Sequence, residues 1–198
     1  MPTQILRPNA AGDLTQFPTI VNPVSSNHFQ AVDETSADDD TSYVQTNQEE
    51  ASVQKILIKE NSTTTGANKS FTDNTNYNNY TNQWTAKPSD SSAFTVTDIN
   101  NLQIGVKFTG EDNPTNQTDL FNIQDWPNNS GDTINSITVT ARWKNAGSGA
   151  AAQRMRLTQI FVTVDYTEAA GPTTGPFKIQ AGARIKVVSG KFKIGETE

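Results

Sequence analysis

The sequence predicts an all-β protein, an antiparallel β-sandwich with an extended N-terminal segment and a small C-terminal β tail. Only 33% of its 198 residues are hydrophobic, yet these gather into short alternating runs instead of scattering. The runs stay under about ten residues, as strands do. Gly, Asn, Asp and Pro bound them, which is how turns between strands are built.

Residues 1–30 contain Pro2, Pro8, Pro18 and Pro23 and show no lasting periodicity, so they predict an extended, wrapping lead-in. The sandwich is placed at 31–168. Within it, Val53, Lys55, Leu57 and Lys59 alternate with Gln54, Ile56 and Ile58, a short strand buried on at least one face. Asn61 to Asn82 reads as a polar stretch rich in Asn and Thr. The segment Thr97–Asn101 predicts one helical turn, capped by Thr97 or Asp98. Leu102, Ile104, Val106 and Phe108 then point one way and Gln103, Gly105 and Lys107 the other, which marks a half-buried strand. Ile134–Ala141 and Ile160–Tyr166 repeat this pattern with β-branched enrichment. Residues 169–176 are a linker by composition. The tail, 177–198, offers short strands at Phe177–Gln180, Arg184–Val188 and Lys191–Ile194, with Ala181-Gly182 and Ser189-Gly190 as turns.

No run approaches the roughly 20 apolar residues that span a bilayer, and the start lacks the regions of a signal peptide, so a soluble chain without a cleaved leader is expected. The absence of cysteine excludes disulfides and thiolate metal sites. The net charge of -6 hides an asymmetry: from residue 169 onward Lys178, Arg184, Lys186, Lys191 and Lys193 oppose Glu196 and Glu198, giving +3 and leaving -9 on the body. An acidic body argues against nucleic-acid binding. The tail, with Phe177 beside its five cations, has the character of an arm for an acidic partner surface; the alternative is a solvated hairpin that happens to carry lysines.

The residues do not compose an active site. His28 is the lone histidine, which excludes a histidine-pair metal site, and no nucleophile elbow is present. Gly147-Ser148-Gly149 has no lysine to meet a phosphate. Asp33, Glu34, Asp38, Asp39 and Asp40 crowd into eight positions. That density suits a structural calcium ion, which takes six to eight oxygen ligands, or a solvated acidic loop; Asp165 is a weaker candidate to complete the calcium site. Trp84, Trp126 and Trp143 with Tyr77 and Tyr80 suit either sugar stacking or the plugging of a sandwich core. For Trp143 the core reading prevails, whereas Tyr77, Tyr80 and Trp84 are candidates for contact with a glycan or a subunit. No cofactor beyond that calcium is expected.

Four stretches together resemble a β-sandwich domain of tailed-phage virion structural proteins: Leu6–Asp13, Asp38–Val44, Thr97–Val106 and Leu157–Tyr166. The resemblance spans roughly residues 5 to 167 and implies a jelly-roll or lectin-like sandwich. It departs in one respect: the block Asp119–Trp143 and the block Val53–Glu60 stand in reversed order, each preceded by Thr-Asn-Gln. The function implied is that of a virion structural protein, a capsid decoration protein or tail component, assembled in the host cytoplasm through contacts with other virion proteins and with itself. The alternative is a carbohydrate-binding adhesin module. No enzyme, nucleic-acid or membrane role is expected. If the core survives the block exchange, the strand Leu102–Phe108 pairs antiparallel with Gln159–Tyr166.

Overall fold

The structure is a computed structural model that describes residues 2–21, 27–46, 51–69, 76–110, 117–145 and 154–170, together with the backbone of 185–188 and 191–194. In chain order the strands are β1 (Thr3–Leu6), β2 (Pro8–Thr15), β3 (Thr19–Val21), β4 (Tyr43–Gln45), β5 (Ala51–Glu60), β6 (Thr63–Lys69), β7 (Asn78–Trp84), β8 (Gln103–Gly110), β9 (Gln117–Ile123), β10 (Thr133–Asn145), β11 (Met155–Thr167), β12 (Ile185–Val188) and β13 (Lys191–Ile194). A 3-10 turn at Phe29–Ala31 and a short helix α1 at Val96–Asn100 complete the described elements.

Two antiparallel sheets pack face to face, as predicted. One has the order β3-β4-β11-β10-β7 with β1 also on β11, and the other the order β2-β9-β8-β5-β6. Period-2 alternation explains the packing: Ile104, Val106 and Phe108 of β8 are fully buried, as are Ile137, Val139 and Ala141 of β10 and Ile160, Val162 and Val164 of β11. Each such Ile, Val or Phe side chain contributes about 1.5–3 kcal/mol on burial. At the centre the Phe108 ring lies 5.5 Å from Phe17 and meets Trp143 edge-on at 6.0 Å, while Trp143 stacks on Tyr80 at 4.0 Å. Trp143 is therefore a core residue. Gly105 permits the close approach of β8 to β9, since a Cβ there would fall 2.0 Å from the Asp119 carbonyl oxygen.

Four expectations change. First, β8 pairs with β5 and β9, not with β11, which lies in the opposite sheet. An apolar period identifies the face that a strand buries, and that face is satisfied equally by a partner alongside or a partner across the core. The blocks in reversed order supply the two strands that flank β8, one on each side. Second, residues 2–21 of the N-terminal segment are extended but are woven into both sheets, β1 on β11, β2 on β9 and β3 on β4. Third, the polar stretch from 61 to 82 holds β6 and part of β7. Fourth, α1 is capped by Thr95, in a capping box with Asp98 at its third position.

Of the tail, β12 and β13 pair antiparallel with each other and with no strand of either sheet. The linker from 171 to 176 and the strand expected at Phe177–Gln180 lie outside the described residues.

Candidate functional site

The loop carrying the acidic run crosses the outer face of the first sheet. It is held there by β11, which bulges at Thr158: the register passes from Arg142 opposite Gln159 to Trp143 opposite Leu157. The released Thr158 hydroxyl lies 3.1 Å from the Asp39 carbonyl oxygen and 2.9 Å from that of Ser42. Asp39 takes a left-handed conformation (φ 54°), which Asp tolerates better than most residues.

Three cations from β10 and β11 meet the tip of the loop. Arg142 forks onto Asp39, with Nε 2.7 Å from Oδ1 and Nη2 3.0 Å from Oδ2. Asp40 accepts from Lys144 Nζ at 2.6 Å, from Arg156 Nη1 at 2.7 Å and from the Tyr77 hydroxyl at 3.3 Å. The register sets Lys144 directly opposite Arg156. Aromatic rings line the cations: Lys144 Nζ lies 4.4 Å from the Tyr77 centroid, and Arg156 lies 4.4 Å from that of Tyr43. Hydrogen bonding from Lys144 leads the effects that hold the Asp40 carboxyl below its usual range, and Asp39 raises Arg142.

The five acids therefore do not act as one group. Asp38 accepts from the Ser42 amide at 3.1 Å. Partial burial raises the Asp33 carboxyl and lifts Glu34 to about 7, where the Ser42 hydrogen bond opposes the rise and the Asp38 and Asp33 charges add to it. One Glu34 carboxylate oxygen is buried without a partner. The repulsion that a calcium ion would offset is offset at Asp39 and Asp40 by Arg142, Lys144 and Arg156. Among the described residues no three metal-ligating side chains converge.

The aromatic candidates are engaged within the fold. Tyr77 is covered by Lys144 and Arg142, Tyr80 is stacked on Trp143, and Trp84 packs against the core. Of the arm residues, Phe177, Lys178 and Arg184 lie outside the described residues. Lys186 falls in β12, and Lys191 and Lys193 fall in β13.

Two clusters escaped the sequence reading. In one, the fully buried Asp119 of β9 accepts from the Gln16 and Phe17 amides at 2.6 and 3.0 Å and meets His28 Nδ1 at 2.5 Å. It fastens the N-terminal segment to the second sheet. Among the described residues no hydroxyl side chain bonds the imidazole.

The other lies roughly 30 Å along β10 from the cation cluster, at a rise of about 3.3 Å per residue. Here the β9–β10 connection and the exit of β11 enclose an open pocket lined by Asn128, Asn129, Asp132, Tyr166, Glu168 and Ala169. Asp132 accepts from the Trp126 indole at 3.1 Å and from the Ala169 amide at 2.9 Å. Trp126 stands edge-on to Tyr166 at 4.9 Å, and Asn128 donates to the Tyr166 hydroxyl at 3.2 Å. No sequence spacing links 126–132 with 166–169, which is why the pocket was invisible in the chain.

Comparison with family models, with curated proteins and with solved structures finds no match.

Proposed function

We propose that the chain is a non-enzymatic structural subunit of a virus particle of the tailed-phage kind, a capsid decoration protein or tail component on a jelly-roll sandwich, which joins its neighbours through the C-terminal arm. One observation carries the reading: among the described strands, β12 and β13 pair only with each other. A lone two-stranded hairpin is marginal in water, so this one requires a surface to rest on. Its +3 charge on a -9 body favours a surface of the acidic kind that neighbouring copies present. The adhesin alternative has less support, because the aromatic side chains it would use are taken up by the core and by cations.

Deletion of residues 171–198 tests the reading. The strands of both sheets lie within Thr3–Thr167, so the truncated chain is expected to keep its β-sheet circular dichroism and cooperative melt, yet to be missing from purified particles analysed by mass spectrometry. Normal incorporation would refute the arm.

A further inference from the structure

We infer that the pocket at the β9–β10 end of the sandwich is the socket for the arm, and that it takes a lysine or arginine side chain from the C-terminal arm of a second copy. The inference rests on the structural-subunit reading and names the surface which that reading requires.

Counter-ions are unevenly distributed over the molecule. Asp13 meets Lys59, Asp39 meets Arg142, and Asp40 meets Lys144 and Arg156, whereas Asp33, Glu34 and Asp38 form no ion pair among the described residues. Lys87 gathers Glu60, Asp90 and Asp98 within 3.5–3.7 Å. The two acids that line the pocket, Asp132 and Glu168, have no Lys or Arg partner among the described residues. Asp132 is buried and held rigidly by Trp126 and Ala169, so its charge cannot turn away toward solvent. Glu168 is exposed at the rim.

The lining chemistry fits one cationic side chain. An ammonium brings three donors and a guanidinium five, with no acceptor. The pocket answers with the Glu168 carboxylate and the Asn128 side-chain oxygen, beside the Tyr166 phenol. The arm supplies five such cations, and the two-copy arrangement follows from placement. The arm leaves the body at Ala169, itself part of the pocket wall, while its hairpin pairs with neither sheet of its own body. Two copies that exchange arms bring each arm to its neighbour's socket, so the contact closes on itself.

Charge reversal in the full-length chain tests this by light scattering after size exclusion. Wild type is expected to associate, and to do so more weakly at 0.5 M than at 0.1 M salt. Glu168→Lys should weaken association at least tenfold without moving the melting temperature, because Glu168 is exposed. Lys186→Glu/Lys191→Glu/Lys193→Glu should do the same, and the combined variant should recover association. If removal of 171–198 abolishes association but Glu168→Lys leaves it unchanged, the arm stands and the socket is wrong. If the truncated chain associates as well as wild type, the arm itself is wrong. A wild type that stays monomeric at every concentration and salt level overturns the second copy as occupant.

Discussion

Asp119 and Asp40 each gather three donors, yet they hold the molecule in different ways. Asp119 is wholly buried and accepts from two backbone amides and an imidazole, whereas the Asp40 side chain is 58% exposed and accepts from a lysine, an arginine and a phenol. Water can replace every partner that Asp40 has, but it cannot reach Asp119. Partner number is therefore a poor guide to stability, and access to water decides the outcome.

Four substitutions and one titration turn that contrast into measurements. The largest effect belongs to Asp119→Ala, which strands the Phe17 amide and the imidazole in the interior and leaves the Gln16 amide only its 3.2 Å bond to the Thr118 carbonyl oxygen; a loss of about 3–5 kcal/mol in urea unfolding is expected. A loss under about 1 kcal/mol would mean that the N-terminal segment is held elsewhere. His28→Ala keeps the two amide bonds and leaves one carboxylate oxygen unpaired, for about 1–3 kcal/mol. Asp40→Asn should cost no more than about 1 kcal/mol, because its ion pairs are screened. The smallest effect is a slope. Glu34 holds its proton more tightly in the folded state, at about 7 against 4.5, so stability should fall as pH rises from about 4.5 to 7 and level off above. Glu34→Gln should flatten that part of the melting-temperature profile. The Asp40 carboxyl is shifted the other way, and its contribution should disappear only as pH falls below the usual carboxylate range.

The parts of the fold that were legible are those with one dry face and one wet face. β8, β10 and β11 lie centrally and show clean alternation. β6 and β7 are edge strands with half of their residues exposed, and Thr and Asn on both faces erase the apolar signal. The box Thr95-Val96-Thr97-Asp98 was readable, and the error there was to place the cap inside the helix. Of the candidate site, the sequence marked the acids at 33–40 but not their fate. Arg142, Lys144 and Arg156 lie more than a hundred positions from Asp39 and Asp40 and come to them only through the β10–β11 register. Likewise, nothing in the chain indicates that Asp119 will meet His28.

The pairing of early strands with late ones also sets a timetable for biogenesis. All five strands of the second sheet have been synthesised by Ile123, whereas the β10–β11 hairpin at the centre of the first is complete only at Thr167. At about 5–20 residues per second, β1 emerges roughly 8–30 s before the strand it pairs with. During that interval Ile56, Ile104, Val106, Phe108 and Phe121 lack the cover that β10 and β11 provide in the finished core. Arrival of that hairpin is the closing event, and until then the nascent chain presents a sticky half-sandwich that depends on chaperones or dilution to avoid aggregation.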